Sequence, residues 1–274
     1  MREVYLHTLS NLAIQLSRGK PVALGAIGWA SPVLAFGSLI NSSVATLGLN
    51  PSNIEFVDRH GNELIEPKNR FETLRSLKLF DWEYASRENL ERILVSCETY
   101  FHLSRRPYHA WFRPLDKVIS GLGVSYYSEL FPACHLDLVP FATSKKWAAL
   151  DKTERAELIV IGARSLIDVL KASSIEVLVL NGSSVVKEFE KLVGFGLDKF
   201  EVLDWALDRN NSSNVRGFGF IKKVSSICGR RLGRDILVLG FNHNIQSSFG
   251  VEGSVISSIR DWVAEQVKQN RIGV

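Results

Sequence analysis

Cysteine is scarce in this sequence: Cys97, Cys134 and Cys228 stand singly, with no CxxC pair and no Cys/His ligand spacing. Three scattered thiols argue against a structural zinc site and cannot hold a cluster that needs four thiolates. Long apolar runs are also missing. None approaches the roughly 18 residues that cross a bilayer, and the opening MREVYLHTLSNLAIQLSRGK mixes apolar and polar residues at helical spacing, unlike a signal peptide. These absences predict a soluble cytoplasmic protein with no metal, no cofactor and no membrane partner. No GxSxG elbow, Walker loop or GxGxxG after a strand occurs, which removes the usual marks of α/β hydrolases and nucleotide-binding folds. A strong charge of one sign is lacking as well. The net +4 permits nucleic-acid binding without requiring it, so the distribution of charge has to decide.

What is present is a repeated grammar. Val44–Leu49, Cys134–Leu138, Val177–Leu180 and Ile236–Leu239 are short apolar runs, each leading to a turn of small or polar residues. Such runs, separated by helical periodicity, read as buried parallel strands of βαβ units. Helices are expected at about 4–18, 70–79, 87–103, 108–121, 153–171, 184–193 and 253–269, with Ser183 or Ser184 as one cap and Gly253-Ser254 opening the last. The fold class predicted is α/β, a three-layer αβα arrangement around a central, mainly parallel four-stranded sheet. One domain over 1–274 is expected, with a helical extension at about 1–40 and a polar loop at Asp208–Asn214.

Open parallel sheets bind ligands beyond the carboxyl ends of their strands. That places the candidate chemistry in Asn50–Asn53, His135–Phe141, Asn181–Ser184 and Asn242–Ser248. GLNPS (Gly48–Ser52) is alone only a strand-turn signal, since Asn and Pro both favour turns. Three segments in order, GLNPS, ACHLDLVPF (Ala133–Phe141) and LGFNHNIQSS (Leu239–Ser248), carry more. Together they resemble the uracil-DNA glycosylase superfamily over about residues 40–268. GLNPS is similar to the Gly-x-Asn-Pro-Gly motif of its single-strand-selective and mismatch-specific branches. The second segment is similar to the strand that reads the extruded base. The third lies where the superfamily has a His-Pro-Ser or Asn-Pro-Ser loop, although no Pro follows Asn242.

The resemblance implies hydrolysis of an N-glycosidic bond in DNA by a monofunctional enzyme that leaves an abasic site. Such a reaction needs a positioned water on one side of the sugar and donors to the departing base on the other. Asn50 suits the first role, its side-chain carbonyl orienting water, although an amide is no strong base. Gly48 and Leu49 would offer backbone groups to the base. Asn242 and His243 are the candidates for donating to the base anion.

Asp137 departs from the superfamily, which often carries Asn there. A carboxylate only accepts, so it disfavours O4 of uracil and welcomes an exocyclic amine such as N4 of cytosine. The expected substrate is a modified or damaged pyrimidine, preferentially cytosine-derived, with hypermodified cytosine of phage DNA as one coherent case. Uracil or mismatch repair, and a non-catalytic DNA-binding module on the same fold, stay open beside it.

Base extrusion also needs an aromatic platform and a wedge. Phe56 is the platform candidate, with Tyr126 and Tyr127 as rivals, and Ile245 or Gln246 the wedge. Lys222, Lys223, Arg230, Arg231 and Arg234 form a basic cluster that would track phosphates, extended by Arg59, Arg105-Arg106 and Lys145-Lys146. Ser52, Ser247 and Ser248 would add uncharged phosphate contacts. The partner expected is DNA, single- or double-stranded, and the chain is expected to act as a monomer.

Overall fold

The computed structural model describes residues 1–102, 107–207, 214–246 and 251–271. Its strands are β1 (Val44–Gly48), β2 (Cys134–Asp137), β3 (Val177–Asn181), β4 (Asp198–Glu201), β5 (Phe218–Ile227) and β6 (Arg230–Phe241). Its α-helices are α1 (Arg2–Ser17), α2 (Lys20–Ala23), α3 (Arg87–Glu98), α4 (His109–Ile119), α5 (Lys152–Ala172), α6 (Ser183–Val193) and α7 (Gly253–Arg271). The strand order is β2-β1-β3-β6-β5-β4 in one open sheet. β1, β3 and β6 run parallel, whereas β5 and β4 are added antiparallel to β6.

The sheet therefore has six strands where the sequence predicts four. The two extra strands carry no apolar run: β4 is DKFE, exposed throughout, and β5 places a lysine pair at its centre. The β5–β6 connection is a two-residue turn with Cys228 and Gly229 both at positive φ (49° and 72°), the backbone that matches hairpin twist.

The described chain divides into two compact units. The first comprises Met1–Ile40, Leu49–Pro107 and Cys134–Ser174, and the second Asn41–Gly48, Tyr108–Ala133 and Ile175–Val274. In the first, α1 buries Tyr5, Leu9, Leu12 and Leu16 and packs on α3 and α5. Helix α5 opens with a reciprocal cap between Asp151 and Glu154. At Gly162 it lies directly on the chain leaving β2, where a side chain would come within 2.1 Å of the Leu138 carbonyl oxygen. Only glycine permits that approach.

Residues 70–79, expected to be helical, form turns instead. Thr73 N–H donates to Ser76 Oγ (2.8 Å) and Ser76 N–H to Thr73 Oγ1 (3.1 Å), so side chains satisfy the backbone that a helix would have satisfied.

In the second unit, helices cover both faces of the sheet. A side chain at Gly240 would meet Val186 of α6, and one at Gly219 would meet Trp262 of α7. Gly219 pairs with Phe241 and Gly240 with Phe220, so the two glycines face opposite sides of the pleat. The register aligns Leu47 with Leu180 and Leu180 with Gly240. Gly48, Asn181 and Phe241 thus end level at the carboxyl edge. The expected Ser183/Ser184 cap is corrected: Gly182, at φ +94°, precedes α6 without a side-chain cap, and Ser183 is its first helical residue.

No helix among the described residues is long and apolar enough to cross a membrane. Arg105-Arg106, residues 208–213 of the polar loop, Ser247 and Ser248 lie outside the described residues.

Candidate active site

Asn50 follows the end of β1 by two residues and is half-buried. Its Nδ2 donates to Pro51 O (3.0 Å), Phe141 O (3.4 Å) and Thr143 Oγ1 (3.1 Å). Carbonyl oxygens only accept, and the Thr143 hydroxyl gives its own hydrogen to Lys145 O (2.7 Å). Every neighbour of Nδ2 is therefore an acceptor, which fixes the orientation of the amide. The opposite atom, Oδ1, is left to receive a donor.

The chain leaving β2 runs beside this turn, with Val139 N–H donating to Leu49 O (2.9 Å). The Leu49 carbonyl is thereby engaged within the fold. On β2, His135 and Asp137 are two residues apart and share one face. His135 Nε2 stands 3.5 Å from Asp137 Oδ1, and both side chains are almost fully buried (2 % and 4 % exposed).

A second carboxyl joins this neighbourhood. Glu55 sits in the short 3-10 turn Asn53–Glu55, which Ser52 caps by accepting from Ile54 N–H. The Tyr100 hydroxyl donates to Glu55 Oε2 (2.8 Å), and Arg70 Nη1 lies 3.5 Å from the same oxygen while bonding Ile54 O (2.6 Å). Burial pushes the Glu55 carboxyl up to about 7. Arg70 and Tyr100 oppose that rise and the charge of Asp137 adds to it. An aromatic wall surrounds the group: Phe56 stacks on Phe71 (5.5 Å) and Phe71 on Tyr100 (5.2 Å), with Phe36 edge-on to both Phe71 and Tyr100.

Glu55 and Thr143 are absent from the sequence-based site, and His135, inside its His135–Phe141 segment, carries no assigned role there. A signal for Glu55 exists in retrospect, an acidic residue between Ile54 and Phe56 within reach of the GLNPS turn.

Several expected roles are corrected. Phe56 is 1 % exposed, with one ring face against Phe71, and serves the core instead of offering a platform. Asn242 holds the start of β5 with both ends of its amide: Oδ1 accepts from Phe218 N–H (2.8 Å) and Nδ2 donates to Arg216 O (2.8 Å). These two bonds fix the side chain in place and leave one of the two Nδ2 hydrogens beyond them.

His243 is 2 % exposed and its Nε2 lies 2.6 Å from Trp205 O. A carbonyl accepts, so Nε2 carries the hydrogen. Burial lowers the His243 pKa and keeps the ring neutral, against the opposing pull of that bond. It is neither an acid facing a substrate nor a solvated loop residue. His243→Leu, which strands the Trp205 carbonyl, is expected to lower unfolding stability by about 1–2 kcal/mol in urea titrations. An unchanged midpoint would refute the structural role.

Ile245 is 7 % exposed, hence no projecting wedge. Gln246 is engaged on both sides of its amide, accepting from Asn181 Nδ2 (2.9 Å) and donating to Trp111 O (3.1 Å). Tyr126 is buried against Thr46 and Phe112, and Tyr127 bonds His109.

The basic cluster is dispersed. Lys222 pairs with Asp198 (2.8 Å), Lys223 alternates to the opposite face, and Arg234 bonds Ile175 O (3.0 Å). Arg230 and Arg231 lie at the start of twelve-residue β6, beyond the level of Val177. At about 3.4 Å per residue they stand about 35 Å from the strand's carboxyl end. The five side chains do not form one phosphate track beside Asn242.

Among the described residues no group of three or more His, Cys, Asp or Glu is arranged to hold a metal ion. No protein-family model matches the chain, and no curated protein matches it.

Proposed function

We propose that the chain is a monofunctional DNA glycosylase that removes a modified or damaged, cytosine-derived pyrimidine and leaves an abasic site. The observation that carries this reading is the anchored amide of Asn50, whose nitrogen is held by three acceptors while its carbonyl oxygen is free to align a water. In the reaction, water adds to C1′ of the nucleotide and the C1′–N bond breaks with its electron pair leaving on the base. The proton released by the water neutralises the base. Asn50 orients that water and does not ionise. A uracil-DNA glycosylase-like fold is part of the proposal, supported by the order of the three motifs and by helices on both faces of the sheet.

Asp137 is the residue that we assign to choice of base. Its carboxylate accepts from an exocyclic amine, and His135 beside it restrains one of its oxygens. Asp137→Asn is expected to move the ratio of cytosine-type to uracil-type excision toward uracil by about tenfold, the scale of one base-edge contact. An unmoved ratio refutes this assignment.

The direct test is incubation of the purified chain with duplex and single-stranded DNA carrying uracil, mismatched thymine, 5-substituted cytosines or glucosylated hydroxymethylcytosine, followed by alkaline cleavage at abasic sites. Release from modified cytosine supports the proposal, and release from uracil alone supports the repair alternative. The internal engagement of Asn242 and His243 favours a second reading, a module that binds a base without cleaving it. Binding without abasic sites across the whole panel would establish that reading instead.

A further inference from the structure

At the carboxyl end of β3, the two halves of the Asn181 amide have unequal surroundings. Asn181 is 5 % exposed, and its Nδ2 donates to Gln246 Oε1 (2.9 Å). Gln246 Nε2 in turn donates to Trp111 O (3.1 Å). The Trp111 carbonyl can only accept, so it fixes the orientation of Gln246, and Gln246 fixes that of Asn181. Asn181 Oδ1 is then an acceptor of defined direction, buried and without a hydrogen-bond partner. Buried acceptors are rarely left unpaired, because they lose water and gain nothing in return. This one lies where parallel sheets bind ligands, level with Gly48 and Phe241. The following Gly182, at φ +94°, packs closely on Asn244, which a side chain there would meet at 3.3 Å.

We infer that Asn181 is a base-reading residue whose Oδ1 accepts a hydrogen bond from a nucleobase when DNA binds. The inference rests on the DNA reading proposed above. Chemistry narrows the ligand. Phosphates and deoxyribose within a DNA chain present acceptors only, so a protein acceptor finds its donor on a base edge. The available donors are the exocyclic amines of cytosine, adenine and guanine and the ring N–H of thymine, uracil or guanine. An extruded base and a base flanking it supply the same donor. Oδ1 is enclosed in the free chain, so binding includes an adjustment of its neighbours, Gln246 first among them.

The test follows the side-chain ¹⁵N amide resonance of Asn181 in the full chain during titration with duplexes that differ at one base. The expected result is a shift that saturates with binding. It should vanish when the donor at one position is removed or blocked (zebularine for cytosine, purine for adenine, inosine or 1-methylguanine for guanine, 3-methylthymine or 3-methyluracil for the ring N–H), and the position that cancels the shift identifies the base read, whereas a shift that survives every such replacement overturns the inference. A resonance unmoved at saturation by every duplex overturns the inference, leaving an internal water as the partner of Oδ1.

Asn181→Leu removes the lone acceptor for an apolar group of similar size. Duplex affinity should fall about tenfold and base preference should flatten, with at most a modest drop in the thermal midpoint, because the substitution also takes the Asn181 donor away from Gln246 Oε1. A lowered midpoint with undiminished affinity overturns the inference, and if both fall, the wild-type resonance decides. Excision with an unmoved Asn181 refutes this inference and spares the glycosylase reading. Binding with a shifted Asn181 but no excision does the reverse, and a chain that binds no duplex refutes both.

Discussion

Asn50→Ala is expected to slow base release by about a hundredfold to a thousandfold in single-turnover assays, the range seen when one preorganised hydrogen-bonding group is removed from a site. Substrate affinity should change far less, because the amide meets a water and not the base. Stability should fall modestly. The truncation leaves Thr143 Oγ1 and the carbonyls of Pro51 and Phe141 without one donor, yet Asn50 is only half-buried and water can replace it. Asn50→Asp separates the two parts of the role. It keeps an acceptor toward the water and adds basicity, but sets a carboxylate oxygen against two carbonyls that the amide nitrogen satisfied. Its rate should lie above that of Asn50→Ala. An alanine variant as fast as the parent would remove Asn50 from the chemistry and with it the main support for a hydrolytic site.

The contrast between Asn50 and Asn242 explains what the sequence made legible. Strands β1 and β3 are each a nearly unbroken apolar run, since buried strands need no polar alternation. The turn after β1 was legible for the same reason: Asn-Pro follows directly on such a run, and the partners of Asn50 come from the neighbouring apolar segment. Asn242 and His243 looked equivalent in the sequence. Their partners, Arg216, Phe218 and Trp205, belong to the start of β5 and the chain before it, where no apolar run announces a strand. Without β5 there was nothing for those polar groups to hold, and they read as free. The first half of β6, RRLGRD, misled in the same way. Its charges suggested a phosphate track beside the site, whereas they form the far end of a long hairpin. Phe56 failed differently: periodicity reports that a ring is near a motif, but not whether Phe71 already covers its face.

Glu55 was illegible because its state depends on neighbours remote in sequence, and it should govern much of the pH dependence of stability. Burial raises its pKa from an ordinary carboxylate value of 4.5 to about 7, with Asp137 adding to the rise and Arg70 and Tyr100 opposing it. The folded chain thus binds this proton more tightly than the unfolded chain. The contribution is complete below the unfolded value, declines as pH climbs through the interval between the two, and is gone above the folded value. Between pH 5 and pH 8 the loss should be about 2–3 kcal/mol, since each tenfold difference in proton affinity between the folded and unfolded chains is worth roughly 1.4 kcal/mol.

Glu55→Gln keeps an acceptor for the Tyr100 hydroxyl and removes the titration. Urea unfolding of parent and variant at pH 5 and pH 8 isolates the residue, since other groups contribute equally to both. The variant should gain on the parent by that amount as pH rises. Asp137→Asn offers a control within the same cluster: by removing a neighbouring negative charge it should lower the Glu55 transition and move the loss of stability to lower pH. Parallel pH profiles for the parent and Glu55→Gln would mean that Glu55 ionises as an ordinary carboxylate. Glu55 would then add a negative charge of its own beside the Asn50 turn at neutral pH, and a cationic or amine-bearing base would be favoured there even more strongly.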